Sequence, residues 1–198
     1  MFRIRSAHIL LCGFVLTLFP ATMRSQSRDA TTQNLPATYQ KWLDEDVHYI
    51  ITDEERADFA ELTTDQQRDD FVRRFWENRN PKPGSGENIF KEEHYRRLAY
   101  VNEHFAAGVP GYKTDRGRIY ILYGPPDERE QHPGRADIAI PGDAPAYVRY
   151  PSDVWRYHIL NGVGRDVFFE FIDECRCGTY LLRKDPTKKT QQSKNGNT

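Results

Sequence analysis

The chain has 198 residues, 38% of them hydrophobic and 29% charged, enough for one compact domain and too little for two complete cores. Its 28 basic and 29 acidic residues leave a formal net charge of -1, a balance that excludes a general nucleic-acid binder with a strongly basic surface. The acids are concentrated: residues 39–107 hold 16 acidic and 10 basic side chains, against 11 and 10 in residues 108–183. An acidic helical layer ahead of a nearly neutral second half is expected.

At the N-terminus, Arg3 and Arg5 precede an apolar run from Ile9 to Phe19, which is followed by Pro20, Ala21 and a polar stretch. That is the layout of a secretory signal, and the run is too short for a bilayer-spanning helix of about 20 residues. The reading predicts cleavage of residues 1–25, no stable transmembrane segment afterwards, and a periplasmic or extracellular product. Cys12 follows a leucine and stands ahead of most of the apolar run, the wrong setting for a lipid-modified cysteine. Residues 26–38 and 184–198 are polar and predict flexible ends around a single domain over 39–183.

From Tyr39 to Ile51 the apolar residues Tyr39, Leu43, Val47 and Ile50 recur at helical spacing. Thr52, followed by Asp53, Glu54 and Glu55, predicts a capped helix to about Leu62. Thr64 to Gln67 reads as a capping box, with Phe71, Val72, Phe75 and Trp76 on the face of a third helix ending before Pro81. A Pro- and Gly-rich loop over 81–86 precedes a fourth helix over 87–107, with His94, Leu98, Val101 and Phe105 in one stripe. His94 therefore reads as a core histidine.

Beyond Gly111 the period changes. The segment Arg118 to Tyr123 (RIYILY) is β-branched and aromatic on both faces, which predicts a strand buried on two sides. Residues 127–152 carry Pro133, Pro141, Pro145 and Pro151 and read as a long irregular loop. Val154 to Leu160 and Asp166 to Ile172 flank Asn161-Gly162-Val163-Gly164, a hairpin signal, and Thr179 to Arg183 supplies a last short strand. The expected fold is α+β: an N-terminal layer of about four helices packed on a small C-terminal antiparallel sheet.

The run Gly111-Tyr112-Lys113-Thr114-Asp115, continuing through Arg116-Gly117-Arg118 to Gly124-Pro125-Pro126-Asp127-Glu128, resembles the signature of the GWxTD domain family of bacterial proteins. The segments from Trp42 to Arg56, Arg73 to Pro81, Asp153 to Ile159 and Asp166 to Asp173 are similar to that family too. One departure is that Tyr112 stands where the family's name has Trp. The resemblance implies an exported bacterial domain and carries no assigned activity, cofactor or catalytic residue.

Two readings of the signature stay open. In one, Tyr112, Thr114, Asp115, Arg116 and Arg118, with Asp127 and Glu128 beyond the expected strand, form a polar binding site, Asp115 as base or ligand and an arginine on an anionic group. In the other, Asp115 accepts backbone amides, Gly117 permits a bend and an arginine pairs internally. Asp115 and Asp127 would lie at opposite ends of roughly 20 Å of extended chain, so a paired-carboxylate site is not expected. A hairpin centred on Val163 would place Arg156 opposite Glu170 as a structural pair, with Trp155 and Tyr157 on the other face.

Cys175 and Cys177 are open to three readings: a labile disulfide, two free thiols, or half of an intermolecular bridge. As metal ligands they are half a set, with no histidine near in sequence, so no metal is expected. No phosphate loop, dinucleotide glycine pattern, nucleophile elbow or helical His pair occurs, so no cofactor and no catalytic residue is assigned. The leading expectation is a non-catalytic exported module that binds a protein or envelope component, with an envelope or secreted protein as partner, through the 127–152 loop as variable surface and the Gly111–Asp115 turn as rigid one, its oligomeric state undetermined. The alternatives are an envelope-polymer hydrolase using Asp115, Arg116, Arg118 and Asp127 with His132 or His158, and a glycan-binding module using Tyr112, Tyr147, Tyr150 and Trp155.

Overall fold

The computed structural model describes residues 35–136 and 148–186, which fall in one unit beginning at Leu35. The expected signal segment, the part of the expected flexible segment up to residue 34, residues 137–147 with Tyr147, and the residues from 187 lie outside them. Among the described residues no helix is long and apolar enough to cross a membrane.

Helix α1 (Ala37–Lys41) runs into a single π-helical turn, Trp42–Asp46, so helix begins ahead of the expected boundary at 39, and Leu35 is already buried. Helices α2 (Asp53–Ala60) and α3 (Asp65–Asn78) both start with a complete capping box, Thr52 with Glu55 and Thr64 with Gln67. Each box satisfies amides that a helix terminus otherwise leaves without a partner. Trp42 packs its ring against Phe59 and edge-on to Phe75, with centroids 5.3 and 5.1 Å apart. With Tyr39, Leu43, Val47 and Trp76 these rings form a first core, in which each large buried side chain contributes about 1.5–3 kcal/mol. Arg79 closes it, bonding both Glu55 oxygens at 2.9 and 2.7 Å and the Ile50 carbonyl while stacking on Phe75.

Helix α4 (Ile89–His104) borders both cores. His94 is buried, as its stripe predicts, and its Nε2 donates to the Asp46 carbonyl. Leu98, Val101 and Phe105 face the second core, with Ile119 and Ile121 of α5 (Asp115–Tyr123) and the inward residues of the sheet.

Helix α5 replaces the strand expected over Arg118–Tyr123. Thr114 caps it, its hydroxyl accepting from the Gly117 amide at 3.0 Å, and Asp115 sits in its first turn. The helix is enclosed on several sides, so its apolar residues leave no one-sided stripe, and a short run buried all round carries no period by which helix and strand can be told apart.

The sheet order is β1-β4-β5-β6, antiparallel throughout, with β1 (Glu128–His132), β4 (Ser152–Leu160), β5 (Gly164–Ile172) and β6 (Leu181–Lys184). The α+β expectation holds. The fourth strand, β1, comes out of the segment read as irregular loop, which also contributes a two-residue ladder of β2 (Arg135–Ala136) and β3 (Val148–Arg149). Its charged sequence, EREQH, carries no apolar alternation because all five residues are exposed on an edge.

The hairpin β4–β5 forms where the glycines predict it, but Leu160 pairs with Gly164 and Gly162 takes the left-handed turn position at φ 76°. That moves the centre by one residue, so Arg156 stands opposite Phe168 and Glu170 opposite Val154. The Arg156–Glu170 pair is therefore not formed across the hairpin. A one-residue change of centre moves each partner by two, which preserves the faces, and Trp155 and Tyr157 point into the core.

Burial against the rings around it, with lesser contributions from Arg97 and Arg79 against the Asp46 carbonyl and carboxylate, holds the His94 imidazole below the usual histidine value. The unfolded chain takes up its proton near pH 6.5, while the folded chain resists it. Stability from this residue is complete above about pH 6.5 and is lost as pH falls below it. We expect the melting temperature to drop more steeply between pH 7 and 5 in the native chain than in His94→Gln, as differential scanning calorimetry would record.

Candidate functional site

The signature segment begins at a backbone contact. Gly111 opens a 3-10 turn (Gly111–Lys113) laid against α4, and a Cβ there would overlap the Val101 carbonyl. A Cβ at Gly117 would overlap the Gly111 carbonyl in turn. Both glycines are needed for close approach, not for a left-handed backbone. The Asn102 carboxamide accepts from the Tyr112 amide at 3.0 Å, and Tyr49 donates to the Tyr112 carbonyl at 2.9 Å. Tyr112 is 7% exposed, so the aromatic that stands in place of Trp serves packing.

The polar members of the segment are used inside the fold. Thr114 donates to the Gly111 carbonyl at 2.8 Å while it caps α5. Asp115 accepts from the Leu182 amide at 2.7 Å, tying the start of α5 to strand β6. Arg118 faces Asp115 at 3.8 Å and Asp185 at 3.6 Å. The reading in which Asp115 accepts a backbone amide and an arginine pairs internally describes these contacts.

Arg116 reaches a charge cluster that sequence spacing does not reveal. Its side chain is 10% exposed, and the guanidinium lies between the rings of Tyr180 at 4.0 Å and Phe105 at 4.9 Å and bonds Asp153 at 3.2 Å. Asp153 is fully buried and also accepts from Arg129 at 2.8 and 2.6 Å and from Trp155 Nε1 at 2.9 Å. Desolvation pulls the Arg116 pKa down while Asp153 works against it, and the Asp153 hydrogen bonds raise that of Arg129. Two guanidiniums thus share one carboxylate, and Arg116 Nε meets no acceptor among the described residues. One signal does exist: Asp153 shares strand parity with Trp155 and Tyr157, so it has to point inward, and a buried carboxylate requires partners.

Asp127 and Glu128 belong to a second, exposed cluster. Asp127 accepts from the His158 amide at 2.6 Å, and Glu128 takes His158 Nε2 at 2.8 Å and Arg156 at 3.1 Å. Arg156 also bonds Asp166 at 2.7 Å and lies over the Phe168 ring. His158, then Arg156, hold the Glu128 carboxyl below its usual value. Asp115 and Asp127 contact different partners, β6 and β4, so the structure does not bring them together. His132 lies by Glu130 at 3.7 Å and not among the signature residues. Of the aromatics considered for glycan stacking, Tyr112 and Trp155 are buried and Tyr150 is exposed. A cleft of about 270 Å³ between Ile50, Pro81, Phe90, Arg97 and Leu122 touches the signature run only at Ile121 and Leu122 and includes none of Tyr112, Thr114, Asp115, Arg116, Arg118, Asp127 and Glu128.

Gly111→Ala is expected to lower stability by about 3 kcal/mol through backbone overlap, whereas Gly86→Ala, with open space around it, should change it by less than about 0.5 kcal/mol. Chemical denaturation of both variants measures this. Asp153→Ala leaves Arg116 buried without its carboxylate and should cost about 3–5 kcal/mol in the same assay.

Comparison with curated proteins and with solved structures gave no match. A model of the GWxTD domain matches residues 21–136, more than half of the chain, including the Gly111–Asp115 signature, helix α5 and strand β1. The chain belongs to the GWxTD domain family.

Proposed function

We propose that this chain is an exported, non-catalytic interaction module of the bacterial envelope that binds a protein partner through the outer face of its sheet. One observation carries the reading: the signature side chains are engaged within the fold, while, among the described residues, helix side chains pack on one face of the sheet. The inner face holds Trp155, Tyr157, Phe169 and Phe171. By strand parity the outer face holds Glu128, Arg156 and Phe168 in one row and Leu181 in another, beside Ile172, which is itself buried.

Phe168 is 50% and Leu181 57% exposed. Apolar side chains ringed by charge on a rigid strand surface suit protein recognition: the apolar residues supply buried area and the charges supply register and selectivity. Arg156 is held by Glu128 and Asp166, so the polar part of the face is ordered before binding. The N-terminal layout Arg3, Arg5, Ile9 to Phe19 supports the exported location.

The test is crosslinking capture from the native envelope fraction with the chain lacking residues 1–25, alongside Phe168→Asp and Leu181→Asp. A partner recovered in proportion to the bait and reduced about tenfold or more by either substitution, with unchanged melting, is the expected result. A partner retained in full by both variants, or no partner at all, overturns the reading.

A further inference from the structure

The turn after β5 joins Cys175 to Cys177 by a disulfide that spans one residue, with Cα atoms 5.2 Å apart. Both cysteines are exposed. Arg176 between them has φ 57°, a left-handed conformation that costs free energy for any residue with a Cβ. Buried Asp173 shapes the turn from beneath: Oδ1 accepts from the Cys177 amide at 3.1 Å, Oδ2 from the Gly178 amide at 2.8 Å, and the Asp173 carbonyl from the Arg176 amide. The turn is therefore held by hydrogen bonds that do not need the sulfur–sulfur bond. A crosslink over so short a loop also removes little freedom from the unfolded chain, so bracing the fold does not account for it.

Each sulfur has a partner for its reduced form. Cys175 Sγ lies 3.1 Å from Asp173 Oδ1, and Cys177 Sγ lies 3.4 Å from the Thr179 hydroxyl oxygen. The two settings differ in sign: the carboxylate repels a thiolate at Cys175, whereas the hydroxyl can donate to one at Cys177. We propose that Cys175 and Cys177 form a redox-active pair that exchanges its disulfide with small-molecule or protein thiols, with Cys177 as the sulfur that leaves and returns as thiolate. This stands independently of the partner-binding face.

With glutathione as the thiol, the exchange balances in two steps. A glutathione thiolate attacks Cys175 Sγ; a new sulfur–sulfur bond forms there as the Cys175–Cys177 bond breaks, and the bonding pair leaves on Cys177, beside the Thr179 hydroxyl. A second glutathione thiolate attacks the glutathione sulfur of that mixed disulfide, which releases glutathione disulfide and leaves the electron pair on Cys175. The two protons shed by the glutathione thiols go to the two cysteines, and the Cys175 thiol then donates to Asp173 Oδ1. Two thiols are oxidised and one disulfide is reduced.

The full chain is incubated with reduced glutathione under native conditions, quenched in acid and alkylated, and labels at Cys175 and Cys177 are counted by peptide mass spectrometry. Both cysteines should become labelled while the circular dichroism spectrum stays that of the folded chain. With oxidised glutathione, Cys177 in the Cys175→Ser variant should form a mixed disulfide about tenfold faster than Cys175 in the Cys177→Ser variant. Adding Thr179→Val to the Cys175→Ser variant should slow that reaction several-fold. A disulfide that glutathione opens only when the chain unfolds overturns the proposal, and so do equal rates for the two single-cysteine variants.

Discussion

With only hydrogen on its α-carbon, Gly111 lets the chain lie directly on the Val101 carbonyl of α4, and much of the second half of the fold is placed by that contact. The 3-10 turn it opens sets Thr114 to cap α5, and Gly117 allows the first turn of that helix to rest on the Gly111 carbonyl. Asp115 then reaches the Leu182 amide and draws in strand β6, while Arg116, one residue on, projects into the core. Each of these side chains acts at a fixed offset from a backbone contact that tolerates no Cβ, so a short signature specifies packing between α4, α5 and β6.

The inward projection of Arg116 would be prohibitively costly without a counter-charge, because a guanidinium loses its hydration on burial. Asp153 supplies it from β4, and Arg129 from β1 completes the group. The cluster thereby links a helix to the first two strands of the sheet. The indole of Trp155 donates to the same carboxylate, so the largest ring of the second core is oriented by the polar group it packs beside.

The two faces of the sheet have different tasks. Inward, alternate residues of β4 and β5 pack on α4 and α5; outward, the intervening residues form charge pairs around Phe168. This division follows from strand periodicity, since side chains alternate along the middle of each strand and one set of strands serves both a core and an exposed surface. The turn carrying Cys175 and Cys177 leaves the end of β5, and the Asp173 amide bonds the carbonyl of Pro151, the residue ahead of β4, which keeps the turn attached to the rigid part of the molecule.

Several elements are legible in the sequence through their local chemistry. Thr52 and Thr64 announce helix starts because a hydroxyl three residues ahead of a Glu or Gln satisfies free amides within one turn. Gly162 announces the hairpin because only a residue without a Cβ takes its conformation without cost, and the inward direction of Trp155 and Tyr157 follows from alternation. Helix α5 and strand β1 are decided by tertiary structure. The first is enclosed on several sides and shows no stripe, and the second lies on an exposed edge and shows no alternation. The hairpin register and the meeting of Arg116, Arg129 and Asp153 are decided there as well, since pairing between charges far apart in the chain depends on which backbones approach and leaves no trace in sequence spacing. What the chain determined alone is its class, its caps, its turns and its family; which polar groups lie inside and which face the solvent was settled when the helices covered one side of the sheet.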